Sequence, residues 1–262
     1  MRRNGFGHTV EVDGERLAGG HVTGPVRIGD TVRRRPGPRG AFVRELLGHF
    51  ERHGWAGAPR LLGTDEQGRD VLGYLPGHVP WDACPPPDPG SLAAVARLLR
   101  ECHDLTAGTP LAGDQEVVCH NDLSPANTVY RDSGDGLRPV AFIDWDLAAP
   151  GARVHDVAHV CWQYVDLGPG VADAVQAGRW LRVVCDAYGP LDFSALLDTV
   201  LWWQDRCWRG IEAFAADGDP AMIRLRDDGT SRAVRAAHDW TAAHRAELAA
   251  GLSRRASAAP TP

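Results

Sequence analysis

The period of hydrophobic and polar positions changes several times along the chain, and each change predicts an element. Residues 20–35 alternate β-branched and polar side chains around a Gly29-Asp30 step, which predicts a β-hairpin turning there. Residues 40–53 place Phe42, Leu46, Leu47 and Phe50 three and four apart, the spacing of an amphipathic helix. The run RLLGTDEQGRDVLGYLPG then gives two short apolar stretches flanking a polar turn, a second hairpin. The stretch PWDACPPPDPGS is rich in proline and ends in Ser91, a residue suited to cap the helix LAAVARLLRECHDL. Two strands follow, NTVYR and PVAFIDW, and the chain then turns helical. Its clearest helix runs from Phe193 to about Phe214, with Leu197, Val200, Leu201, Gln204, Cys207, Trp208 and Ile211 on one stripe. These patterns predict an α+β fold with a reduced β-rich lobe over residues 1–79 and a proline-rich connector over 80–91. A mainly helical lobe over 92–252 and a disordered tail over 253–262 complete it.

Composition narrows the class. With 262 residues the chain buries a sizeable core without metal or disulfide staples. Its six cysteines contain no CxxC pair, so they read as small buried hydrophobes of a reducing compartment. The formal charge of -6 and the absence of a basic stripe argue against a nucleic-acid partner. No apolar leader and no membrane-length apolar run is present, and the expectation is a cytoplasmic protein with no membrane partner. All 28 basic residues are arginine, so any mechanism that needs a lysine is closed in its usual form.

The chemistry gathers in CHNDLSPANTVY, residues 119–130. His120, Asp122, Leu123 and Asn127 match the protein-kinase pattern H-R-D-L-x-x-x-N at every fixed position but the second. The strand AFIDWD then delivers Asp144 where that pattern has its second metal-binding carboxylate. The physical case is independent of the pattern. Mg²⁺ is hard and octahedral, and is held by one or two protein oxygens together with phosphate oxygens and water. An Asn amide oxygen and one carboxylate bring a single negative charge to a site that must also accept a polyphosphate. A separate Asp, kept off the metal, accepts the proton of an attacking hydroxyl. Pro125 stiffens the loop between the two. A turn rich in His, Asp and Asn arises easily by chance, but Leu123, Asn127 and the later strand-Asp in order make phosphoryl transfer the stronger reading.

From Ala94 to about Leu167 the chain resembles the aminoglycoside phosphotransferase and choline kinase-like group. LLRECHDLT, HNDLSPANTVY and FIDWDLAAPGARVHDVAHV carry the likeness. The resemblance implies a protein kinase-like two-lobed fold and transfer from ATP or GTP, with Mg²⁺, to a hydroxyl of a small-molecule acceptor. That acceptor would be an aminoglycoside-like antibiotic or a small amino alcohol. It implies Asp122 as base with His120 beside it in the catalytic loop. Asn127 and Asp144 follow as metal ligands, with Asp146 and Asp156 in support. Gly73, Tyr74 and Leu75 would form the hinge that meets the adenine.

The small lobe departs from the group. A kinase of this type carries a strand lysine paired with a helix acid; here GDTVRRR offers Arg33 or Arg34, and the next helix offers Glu45. Alternation from Val32 favours Arg34. The glycines Gly19, Gly20 and Gly24 make no convincing nucleotide loop. This lobe more specifically resembles small actinobacterial phosphotransferase-like proteins related to trifolitoxin immunity-type proteins. That likeness implies an alternative: a non-catalytic immunity, resistance or binding protein on a degenerate kinase fold. For the acceptor, six tryptophans beyond Asp146 (Trp162, Trp180, Trp202, Trp203, Trp208 and Trp240) lie among acids such as Asp166, Asp205 and Glu212. Such a mixture suits a cationic amine, and the alternative is that aromatics such as Trp208, on the buried stripe of its helix, pack as core.

Overall fold

A computed structural model describes residues 14–17, 24–81, 86–134 and 136–253. The expected tail, most of the glycines before the first hairpin and part of the proline-rich connector lie outside them.

The first lobe is a five-stranded antiparallel sheet, in the order β1-β2-β3-β5-β4, with one helix. Its strands are β1 (Glu15–Arg16), β2 (Val26–Ile28), β3 (Thr31–Arg34), β4 (Leu61–Thr64) and β5 (Asp70–Gly73). Gly29, at the β2–β3 turn, takes a φ of 59°, which glycine reaches without steric cost and which fits the predicted hairpin. The helix α1 (Gly40–Arg52) turns Val43, Leu46, Leu47 and Phe50 inward. Phe50 meets Trp145 of the second lobe with ring centroids 5.2 Å apart, so an aromatic contact ties the helix to the segment that carries Asp144.

The second lobe begins with α2 (Pro89–Thr106). Its N-cap is Asp88, whose carboxylate accepts the Ser91 amide at 2.7 Å. Ser91 was the expected cap, but Pro89 fits the first helical turn, where its missing N–H costs nothing, and the helix starts three residues earlier. Two short ribbons follow: β6 (Val117–Cys119) pairs with β9 (Ala149–Gly151), and β7 (Thr128–Asp132) pairs with β8 (Leu137–Phe142). Beyond them lie α3 (Arg153–Val165), α4 (Ala174–Tyr188), α5 (Leu196–Ala216), α6 (Pro220–Asp227), α7 (Thr230–Ala243) and α8 (Arg245–Ser253). The core of this lobe joins Val95 and Leu99 of α2, Val157 and Val160 of α3, Leu181 and Val184 of α4, and Leu248 of α8. Helices α4 and α8 touch through paired glycines. A Cβ added to Gly251 would stand 2.1 Å from the Val175 carbonyl and 2.8 Å from the Gly178 Cα. Among the described residues no helix is long and apolar enough to cross a membrane.

Candidate active site

The β6–β9 and β7–β8 ribbons bring two loops to one place. A single 3₁₀ turn, Pro125–Asn127, leads into β7, and the Ile143 amide donates to the Asn127 carbonyl at 2.9 Å. The end of β8 is thereby stitched to the start of β7, so Asp144 emerges beside Asn127. Asp144 sits at φ 63° and Asn121 at φ 64°, a left-handed conformation that Asp and Asn adopt more readily than other side chains.

Within the first loop the Asn127 side-chain N–H₂ donates to the Asp122 carboxylate at 2.9 Å and to its carbonyl at 2.8 Å. The amide nitrogen is thus committed to Asp122, and the amide oxygen is the atom left for a cation. Loss of solvation by burial, then the Asp144 charge, pushes the Asp122 carboxyl up to about 7, against the pull of the Asn127 hydrogen bond. A carboxylate titrating near neutrality is matched to taking a proton from a hydroxyl at working pH.

Asp156, in the first turn of α3, holds the loop from behind. It is fully buried and accepts the amides of His120 at 2.6 Å and Asn121 at 2.9 Å, and the His103 ring at 3.2 Å. Although burial alone would raise it, these donors, His103 foremost, hold its carboxyl below the usual range. Ligating atoms of His103, Cys119 and Asp156 converge within 4.8 Å. However, both Asp156 oxygens accept protein donors and the second His103 nitrogen meets the Tyr188 hydroxyl at 2.8 Å, which makes the group a hydrogen-bonded strut. His159 adds a second support through Nδ1 to the Leu123 carbonyl at 2.8 Å.

His120, expected in the catalytic loop as one of its supports, lies behind that loop and outside the cavity lining. Its ring is buried against Trp145, centroids 4.5 Å apart, and its Nε2 bonds the Ile143 carbonyl at 3.0 Å. Desolvation pushes its pKa down, so the ring is neutral and donates from Nε2. A ring sealed behind the loop cannot reach a substrate; it couples the Asp122 loop to the Asp144 segment and is a positioning residue.

Between the lobes lies a cavity of about 580 Å³. Val32, Arg34 and Leu72 face it from the sheet, Gly73, Tyr74 and Leu75 from the hinge, and Asp122, Asp144 and Asp146 from the floor. The Gly73 and Tyr74 amides donate to the carbonyls of Arg60 and Asp30, whereas Leu75 makes no backbone hydrogen bond among the described residues. Strand alternation places Arg34 in the cavity, as expected, while Arg33 turns to Asp65 at 3.8 Å. Its expected pairing is different, however. Glu45 is exposed on α1, because the inward stripe of Val43, Leu46, Leu47 and Phe50 leaves it on the solvent side. Arg34 reaches across the cleft instead: its Nη2 donates to Asp144 at 3.0 Å and also to Asp146. The helix-to-sheet ion pair does exist with reversed polarity, Arg44 of α1 to the buried Asp70 of β5 at 2.7 Å. The sequence reading missed both residues; the only signal for them was a lone acid at the head of an apolar strand.

The tryptophan faces also differ from expectation. Trp162 and Trp203 are buried. Arg206 lies over Trp202, and Arg209 and Arg235 lie over Trp208, at 4.5–5.5 Å from the ring centroids. Asp205 is paired to Arg209 at 2.7 Å. The protein's own guanidinium groups therefore lie over Trp202 and Trp208, faces that a cationic acceptor would otherwise use.

Residues 105–193, which hold the whole Asp122–Asp156 constellation, match the family model described as phosphotransferase enzyme family. A trifolitoxin immunity protein of Rhizobium leguminosarum bv. trifolii is 32% identical over 200 residues, 66% of this chain and 73% of that protein. The chain belongs to the phosphotransferase enzyme family. The fold of this phosphotransferase-family protein agrees. It matches a spectinomycin phosphotransferase solved with ADP and spectinomycin at a TM-score of 0.61 and 10% identity, over 88% of this chain and 93% of that one. It matches the GDP complex of aminoglycoside 2'-phosphotransferase-IIIa at 0.56 and 15% identity, over 88% and 93%. The two-lobed kinase-like α+β fold expected from the motifs is therefore that of the chain.

The donor set suits a hard divalent cation: an Asn127 amide oxygen and the Asp144 carboxylate, with Asp146 close enough to share one arginine with it. Bound there with a nucleotide, Mg²⁺ would supply charge neutralisation at the phosphates.

Proposed function

We propose that the protein transfers a phosphoryl group from ATP or GTP to a hydroxyl of a small molecule. The observation that carries this reading is Asp122: a carboxylate at the cavity floor, oriented by Asn127, and raised to about 7 beside a cation-binding pair. Asp122 accepts the hydroxyl proton, Asn127 and Asp144 hold Mg²⁺ against the polyphosphate, and Arg34 is the cation of the small lobe near the phosphates. The apolar hinge side of the cavity takes the base, with the Leu75 amide as its donor. Asp156 and His120 hold the two loops in register. Nucleotide-complexed neighbours of the same fold support the choice of donor.

Acceptor-dependent release of ADP or GDP tests the reading, preceded by calorimetric titration with each nucleotide, with and without Mg²⁺, on wild type and Asp144→Ala. Mg²⁺-dependent nucleotide binding that Asp144→Ala weakens supports it; failure to bind either nucleotide refutes it. A second reading, an immunity protein that binds its target without transfer, is favoured by the immunity-protein relative and by the absence of lysine. It requires that target protection survive Asp122→Ala.

A further inference from the structure

We propose that Arg34 competes with the divalent cation for the Asp144–Asp146 pair, so that the site takes a cation together with a nucleotide and resists the bare ion. The proposal rests on the phosphotransferase reading of the cleft. One guanidinium nitrogen donates to both carboxylates, so the positive charge stands between the oxygens that a dication would draw upon. Among the described residues, neither acid near Arg34 in its own lobe draws it away. Asp70 lies opposite it in the β3–β5 register but is committed to Arg44, and Glu45 faces solvent. On the other side, Gly37 lies next to Asp146, where an added Cβ would stand 3.3 Å from its carboxylate.

Arginine makes this competition permanent in a way lysine would not. A guanidinium does not lose its charge on burial as readily as an ammonium does, and here a single Nη2 already bonds both carboxylates. A hydrated dication arriving alone must displace it and leave it without a partner in a partly buried place. A polyphosphate changes the balance, because its oxygens offer the guanidinium a bidentate anion at the moment the carboxylates turn to the metal. Cation and nucleotide then assist each other, and by linkage the assistance is equal in both directions.

The test is calorimetric titration of Mn²⁺, a hard octahedral probe, into wild type and Arg34→Gln. A parallel titration uses Mg²⁺ with the nucleotide that wild type binds. We expect Arg34→Gln to bind Mn²⁺ alone about tenfold tighter or more, the removal of a charge-assisted competitor, and to bind Mg²⁺–nucleotide more weakly. A merely structural role would move both affinities in the same direction. Equal Mn²⁺ affinities in the two proteins, with Mg²⁺–nucleotide still bound, would overturn the competition and leave the phosphotransferase reading intact. Loss of both ligands from wild type would overturn the two together. Wild type alone gives a second measure, free of any folding defect in the variant. Mn²⁺ should leave its melting temperature unchanged and Mn²⁺ with nucleotide should raise it; an equal rise with Mn²⁺ alone contradicts the proposal.

Discussion

Replacing Asp122 by Asn should make the protein more stable and inactive at once. Burial and the Asp144 charge raise the Asp122 carboxyl from 3.8 to about 7. A carboxyl raised in this way stabilises the fold while protonated, below its unfolded value near 3.8, and that contribution is lost as pH rises through about 7. Above pH 7 the wild type therefore carries an ionised group in a place that disfavours it. At about 1.4 kcal/mol per pKa unit the interval would amount to roughly 4 kcal/mol. Asp122 faces the cavity and is only half-buried as a residue, so water there screens it, and about 2 kcal/mol is the figure to expect. The Asn oxygen still accepts the Asn127 N–H, so no donor is orphaned by the change. The assay is thermal melting at pH 5 and pH 8, without divalent cation. The variant should melt about 5 °C higher than wild type at pH 8, with a smaller gain at pH 5, while turnover falls by about 10²–10⁴. A variant no more stable than wild type at pH 8, or one stabilised equally at both pH values, would refute the account of Asp122.

Asp156→Ala removes the acceptor of three buried donors, the two loop amides and the His103 ring; urea unfolding should show a loss of about 3–5 kcal/mol. Gly251→Ala drives a methyl into the Val175 carbonyl where α8 meets α4, and calorimetric melting should register about 1–3 kcal/mol of destabilisation. Gly210→Ala, with open space at the same step in α5, should instead be neutral or stabilising by about 0.5–1 kcal/mol. Desolvation of His159 pushes its pKa from 6.5 to about 4, so the unfolded chain takes up a proton in that window that the folded one refuses. Stability is full above 6.5 and falls as pH drops towards 4. Asp122 acts in the opposite sense over much of the same range, so the acid limb should be steepest in the Asp122→Asn background and flatten when His159→Gln is added.

The grouping of the Asp122 loop was legible in the sequence because its parts are neighbours. His120, Asp122 and Asn127 lie within eight residues, and one following strand suffices to bring Asp144 beside them. The Gly29 turn and the long stripe of α5 were legible for the same local reason. Arg34 shows where that ends. Alternation told which way the side chain points, but its counter-ions come from the other lobe, 110 and 112 residues away, and no local pattern chooses among the carboxylates. Glu45 was the nearest acid by expectation, yet the packing of α1 turned it outward and brought Arg44 to Asp70 instead. Trp202 and Trp208 meet the same limit. Composition placed aromatics and acids together, but whether a face is open depends on arginines from α5 itself and from α7.

On the phosphotransferase reading, Arg34 stands at the phosphate end of the cleft, and this has a practical consequence for how the protein can be found. Reagents that survey nucleotide-binding enzymes by acylating or reductively tagging a side-chain amine beside the phosphates require a nucleophilic nitrogen. A guanidinium nitrogen is delocalised and a poor nucleophile, and the chain contains no lysine elsewhere to take the label. In a proteome-wide profile built on such reagents, this protein would leave no adduct in the Arg34 cleft, however fully a nucleotide occupied it. Its detection calls for reversible displacement of a fluorescent nucleotide, or for dicarbonyl reagents directed at arginine.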